Sequence, residues 1–180
     1  MKRASRLIAL FVLAAGPFAC GPTAYFNVPS DEGDWFALNS ANAGTARAVS
    51  EVALARVVAD SGAPSPFEYL LPEGAAIQTY RKAGAALGPS ALVPSEQSPA
   101  GTPLFAVRSV RVRGTEAQVE VIRPSGVFDW ELVDVDLVWN LCDGWRVDLA
   151  RPRRVQVEAP NRSTFIEDAA AETQPAGDPT

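Results

Sequence analysis

The stretch that decides the fold is LFAVRSVRVRGTEAQVEVIRP, residues 104–124, in which apolar and polar residues alternate on both sides of Gly114-Thr115. Alternation with a period of two predicts strands with one buried face, and a two-residue loop with glycine first predicts a tight hairpin. Apolar residues then face apolar residues and charges face opposite charges. The predicted register pairs Arg113 with Glu116, Val112 with Ala117, Arg111 with Gln118 and Val110 with Val119.

A second hairpin is predicted by VDLVWNLCDGWRVDLARP, residues 135–152. A two-residue loop formed by Asp143-Gly144 would place apolar Leu141 opposite Arg146. Shifting the pairing register by one residue exchanges the two faces of the strand and pairs apolar residues with apolar residues. We therefore predict a three-residue loop, Cys142-Asp143-Gly144, with glycine where such loops need a left-handed residue. The predicted pairs are Leu141 with Trp145, Trp139 with Val147 and Leu137 with Leu149.

The first half of the chain is predicted to be helical. Apolar residues recur at helical spacing from about Asn42 to Asp60, and a second stripe begins at Ile77 and ends at Gly88-Pro89. The short apolar piece FEYLL, residues 67–71, lies between the helices, and the proline-rich residues 88–103 are predicted to be a loop.

This order of elements predicts an α+β domain over residues 35–157, with the N-terminal helices packed on one face of a curved antiparallel β-meander sheet. The order of the elements resembles the NTF2-like, cystatin-like fold of small bacterial envelope proteins. In that order the helices come first, and a meander follows whose last hairpin contains Asp143-Gly144-Trp145. That superfamily includes enzymes, ligand binders and assembly modules, so the resemblance implies a fold and leaves the function open. Residues 20–34 are predicted to be a tether and residues 158–180 a disordered tail.

The N-terminus indicates export. Met1-Lys2-Arg3 and an apolar run from Leu7 to Gly16 are typical of a signal peptide, predicted here over residues 1–19. Pro17-Phe18-Ala19-Cys20 resembles a bacterial lipobox, which implies that Cys20 becomes the first residue and carries fatty acyl chains such as palmitate. A secreted soluble protein and an uncleaved anchor are the alternatives.

These features predict a lipid-anchored, periplasm-facing protein of the cell envelope. Gly21 follows the lipidated position where an aspartate would favour the inner membrane, so the outer membrane is favoured. The whole chain has a net charge of −5, and loss of the three basic leader residues makes it −8. An acidic surface does not favour nucleic acid. The expected partners are the membrane, through Cys20, and an unidentified envelope protein.

Several kinds of chemistry are excluded by composition and motif. The chain contains no histidine, which removes Ser-His-Asp and Cys-His nucleophilic systems and most zinc sites. It has no glycine-rich phosphate loop, and we expect neither a cofactor nor a metal. Asp134, Asp136 and Asp148 are expected on a solvated polar face of the sheet, the alternative being a carboxylate-based site.

Aromatic residues supply the predicted pocket, which comprises Trp130, Trp139, Trp145 and Tyr80. Core packing against the helices is the alternative role for the tryptophans. Cys142 is expected to be an inert turn residue, with a reactive thiol or a disulfide to Cys20 as alternatives. We predict a non-catalytic interaction or assembly module. The alternatives are a binder of a small apolar or envelope-derived ligand between helices and sheet, and a carboxylate-based enzyme.

Overall fold

Two helices pack against one face of a mixed β-sheet in the computed structural model, which describes residues 25–29 (backbone alone), 40–95, 98–126 and 129–162. The helices are α1 (Gly44–Ser61) and α2 (Ile77–Leu87). The strands are β1 (Tyr25–Pro29), β2 (Phe67–Leu70), β3 (Ala91–Leu92), β4 (Leu104–Arg113), β5 (Glu116–Pro124), β6 (Trp130–Asn140) and β7 (Gly144–Gln156). Their order is β3-β2-β4-β5-β6-β7, with β1 beside β4, and the sheet is open.

The β4–β5 hairpin confirms the predicted register at all four pairs, and Gly114 has a φ of 62° at the turn. A bulge interrupts the ladder between Val107 and Ser109. The extra residue, Arg108, shifts the alternation, so that Val107 and Val110 both face the helices. The sequence AVRSV, which breaks the period of two, therefore still supplies a continuous apolar face.

The predicted register of the β6–β7 hairpin is wrong. Its loop does have three residues, but they are 141–143, so that Trp139 pairs with Trp145 and Leu137 with Val147. Asn140 explains the shift, because its Oδ1 accepts hydrogen bonds from the backbone N–H groups of Cys142 and Asp143 at 3.0 and 2.7 Å. These bonds form an Asx-type turn that ends β6 at this residue. Gly144 has the expected positive φ, 71°.

The sheet is mixed, which corrects the prediction of a purely antiparallel meander. Strand β2 pairs in parallel with both β3 and β4, and α2 forms the crossover between β2 and β3. All four residues of β2 are buried, so the FEYL run shows none of the alternation that marks a half-exposed strand. The predicted loop of residues 88–103 accordingly contains β3, which forms one edge of the sheet.

The predicted limits of the domain also change at both ends. Strand β1 lies within the predicted tether and pairs antiparallel with β4, from Tyr25 opposite Arg113 to Pro29 opposite Ser109. Residues 158–161, placed in the predicted tail, line a cleft in the domain. The signal peptide, Cys20 and residues 163–180 lie outside the described residues.

The packing of α2 on β2 depends on one small residue. Tyr69 is fully buried and donates a hydrogen bond of 2.7 Å from its hydroxyl to the carbonyl oxygen of Tyr80. A Cβ atom at Gly84 would lie 2.8 Å from the Tyr69 hydroxyl oxygen, which is closer than real Cβ contacts. Burial, with a smaller contribution from Glu51, raises the pKa of Tyr69 to about 12, so the hydroxyl keeps its proton at neutral pH.

We predict that Gly84→Ala destabilises the domain by about 1–3 kcal/mol, the usual cost of overpacking, although alanine is the better helix former. In a Tyr69→Phe background the clashing oxygen is gone. There the same Gly84→Ala change should be neutral or stabilise the protein by up to about 1 kcal/mol. Urea unfolding of the four proteins measures both values, and an equal cost in the two backgrounds would contradict the close contact.

Candidate functional site

A cleft of about 640 Å³ opens beside the end of β2. One wall is the loop that follows β2, residues 70–75, and the opposite wall is the segment that follows β7, residues 157–161. The floor combines residues from both faces of the sheet with one helical side chain, namely Ala106, Val107, Arg108, Ile122 and Tyr80. Its volume is within the range of roughly 300–1,000 Å³ that small-molecule sites occupy.

The cleft forms where the edge of β4 changes partner. Strand β2 pairs with β4 as far as Ala106, and β1 pairs with it from Ser109 onwards. Val107 and Arg108, which lie between these two pairings, line the cleft. Strands β2 and β1 therefore lie end to end along the same edge of β4, and the bulge at Arg108 lies at the gap between them.

The wall formed by residues 70–75 is fixed by α2 and by the residues preceding α1. The Tyr80 hydroxyl accepts the backbone N–H of Leu71 at 3.0 Å. Asn42 donates from Nδ2 to the carbonyl oxygen of Gly74 at 3.0 Å, and its Oδ1 accepts the N–H of Ala76 at 2.7 Å. These bonds hold the loop after β2 in a defined position.

The opposite wall is fixed by a backbone hydrogen bond and an ion pair. The Val157 N–H donates to the carbonyl oxygen of Trp130 at 3.2 Å. Further along, Arg162 Nη2 lies 2.8 Å from Glu68 Oε2 and donates to the carbonyl oxygen of Thr102 at 3.3 Å. The segment after β7 is thus attached to the domain at both of its described ends.

Glu68 is the buried charge beneath this attachment. It lies in β2 on the face opposite the helices, and its side chain has no exposed surface. Neither carboxylate oxygen has a donor with hydrogen-bond geometry among the described residues, so the contact with Arg162 is an ion pair. Removing the cation would leave a buried carboxylate uncompensated, which is strongly destabilising.

The structure does not bring the four predicted pocket residues together. Tyr80 lines the cleft. Trp130 does not itself line the cleft, but on the face of the sheet opposite the helices it packs with Leu104 and with three cleft-lining residues, Leu70, Ala106 and Ile122. Trp145 packs at the margin of the core under the helices, and Trp139 is its cross-strand partner.

The polar face of the sheet is more buried than the sequence suggested. Glu120 and Asp134 lie directly opposite each other on β5 and β6 and are 8 % and 7 % exposed. Arg153 bridges them, with Nε 2.5 Å from Asp134 Oδ2 and Nη2 3.5 Å from Glu120 Oε1. Ser109 donates to Glu120 Oε2 at 2.7 Å. The hydrogen bond to Asp134 raises the pKa of the Arg153 guanidinium.

Nearby charges on this face are paired as well. Arg151 Nη2 lies 2.8 Å from Asp136 Oδ2. Within the described ranges, no group of three or more acidic or cysteine side chains is arranged to hold a metal ion. Cys142 is a free, exposed thiol on the β6–β7 loop.

Sequence reasoning missed Glu68, Arg162, Glu120 and Arg153. One signal for Glu68 was present, because it is the single charge inside an apolar run, FEYLL, that becomes a buried strand. The position of Glu120 could also have been predicted from the sequence, because the alternation of β5 and β6 puts it on the same face as Asp134.

No protein-family model matches the chain, and neither the search of curated proteins nor that of solved structures found a match. In the part of the chain that the structure describes, no helix is long and apolar enough to cross a membrane.

We predict that Arg153→Ala destabilises the domain, and that it does so less in a Glu120→Gln background, where only one of the two opposed side chains carries a charge. Without the bridging cation, Glu120 and Asp134 become like charges directly opposed across two strands, which destabilises a sheet. Arg154→Ala is the matched control, because Arg154 is an exposed neighbour. Urea unfolding of the variants with and without Glu120→Gln measures the difference, and an equal loss of stability in the two backgrounds would contradict the bridging role.

Proposed function

We propose that this protein is a lipid-anchored component of a bacterial cell envelope whose α+β domain, of the NTF2-like, cystatin-like type, is a non-catalytic binding module. Its partner is another envelope protein, facing the periplasm, and the outer membrane is the favoured site of anchoring. The cleft between residues 70–75 and 157–161 is the observation that carries the proposal.

The construction of the cleft supports an extended segment of a partner protein as its occupant. Both walls are non-helical segments, and each carries one carboxylate among mostly apolar residues, Glu73 on one wall and Glu158 on the other. Arg108 adds a positive charge to the floor. Such a mixed trough offers apolar contact together with polar groups that fix orientation.

A small apolar or envelope-derived molecule is the second candidate, favoured by the volume of the cleft. A carboxylate-based enzyme is less well supported. Three acidic residues of the sheet face are held by cations, with Arg153 on Asp134 and Glu120 and Arg151 on Asp136. Catalytic carboxylates need a pKa matched to proton transfer and access to a substrate, whereas these carboxylates serve as partners in ion pairs.

The anchor is tested by Cys20→Ser. We expect the mature wild-type protein to carry acyl chains and to sediment with membranes, and the variant to lose both properties because the acceptor sulfur is missing. Cys142→Ser is the matched control, since it removes the other cysteine of the chain and should leave acylation unchanged. Mass spectrometry and membrane fractionation measure the outcome, and an acylated Cys20→Ser protein would exclude this cysteine as the anchor.

The cleft is tested by filling it. Ala159 is exposed and lines the cleft, so Ala159→Trp should block an occupant while leaving the core intact. Ala86→Trp on the exposed side of α2 is the matched control. Cross-linking in intact cells should recover an envelope protein with wild type and with the control, and not with Ala159→Trp.

Native mass spectrometry of the same proteins separates the two candidates. A bound small molecule that Ala159→Trp excludes would favour the second candidate. Equal recovery of partner by all three proteins, with no small molecule bound to any of them, would reject the cleft as the binding site.

A further inference from the structure

The loop between β6 and β7 presents apolar surface to solvent. Leu141 is 70 % exposed at the tip, beside the exposed Cys142. The Trp139–Trp145 pair lies directly behind it and is partly exposed. Asn140 holds the tip in shape through its bonds to the loop backbone. We name residues 139–145 the hairpin tip.

The hairpin tip projects from one end of the sheet. Val138 of β6 is opposite Glu116, the first residue of β5, and the Trp139 N–H donates to the carbonyl oxygen of Thr115 at 2.8 Å. Trp139 therefore lies level with the β4–β5 turn, and Asn140 and Leu141 extend beyond it, by about 7 Å at the rise of a strand. No other described strand reaches so far at this end.

The N-terminus of β1 lies at the same end. Tyr25 is opposite Arg113, the last residue of β4 before the turn. Strand β1 is separated from β6 by β4 and β5, a lateral distance of about 15 Å at ordinary strand spacing. Cys20 precedes Tyr25 by five residues, whose contour length of up to about 18 Å lets Cys20 reach the level of the tip.

We propose that the hairpin tip is a second membrane contact, which inserts Leu141 and the edges of its tryptophans into the interfacial region of the bilayer that holds Cys20. This inference rests on the proposed lipid anchor. Tryptophan favours the membrane–water interface, where its ring is buried and its N–H stays hydrated. Asp143 at the tip disfavours an anionic surface, so the partner is a bilayer of zwitterionic phospholipid.

The arrangement gives the domain an orientation. The cleft is lined by Ile122 and Val157, which lie toward the ends of β5 and β7 remote from the tip. With the tip on the membrane, the cleft therefore lies at the end of the sheet away from the bilayer. One acyl-bearing cysteine leaves a domain free to tumble, whereas two contacts restrict its rotation.

The experiment uses the acylated full-length mature protein in phosphatidylcholine vesicles. When Cys20 is acylated at its sulfur, Cys142 is the remaining thiol of the chain and accepts an environment-sensitive fluorophore. We expect a blue-shifted emission and quenching by brominated acyl chains. Leu141→Asp should abolish most of both effects, whereas Val155→Asp, at an exposed apolar site on the far part of β7, should retain them.

Failure of the tip contact and failure of the lipid anchor give different experimental results. An acylated wild-type protein whose probe emits as in water overturns the tip contact and leaves the anchor standing. A protein that the intact mass shows to be unacylated overturns both proposals. If Leu141→Asp unfolds, as circular dichroism would show, quenching of the wild type still decides the result.

Discussion

The four residues of β2 are buried on both sides, and the rest of the structure is arranged around that constraint. A strand that is hydrogen-bonded in parallel on both edges needs a crossover at each connection, and α2 supplies the first of them. The helix must then lie directly on the strand. Gly84 permits the approach, and the Tyr69 hydroxyl bonds to the helix backbone at Tyr80.

The opposite side of β2 carries the charge that attaches the last described segment. Glu68 and Tyr69 are neighbours in sequence, yet they point to opposite faces, as successive residues of a strand do. Tyr69 fixes α2, and Glu68 fixes Arg162. The two walls of the cleft are consequently held by the same strand, one through Tyr80 and the loop after β2, and the other through the ion pair.

Parts of the fold were accessible from the sequence where the determining signals are local. Gly114-Thr115 and the flanking pairs specify the β4–β5 hairpin without reference to any other part of the chain. The β6–β7 register was missed because hydrophobic matching favoured Leu141 as a core residue, whereas the Asn140 side chain ends the strand before it. Strand β2 was missed because a strand buried on both faces has no alternation to detect. The cleft could not be predicted from the sequence, because its walls come from segments far apart in the chain.

The same reasoning explains why the exposed Leu141 is informative. Hydrophobic matching would pair this residue with Trp145, which would require β7 to slide along β6. That slide would break the bonds from Asn140 to the loop and would move Trp145 away from Trp139. The structure keeps those contacts and leaves a large apolar side chain in solvent at the end of the sheet where β1 begins. Polar bonds thus hold an apolar residue outward at the end of the sheet where β1 begins, and the proposed second membrane contact would account for that exposure.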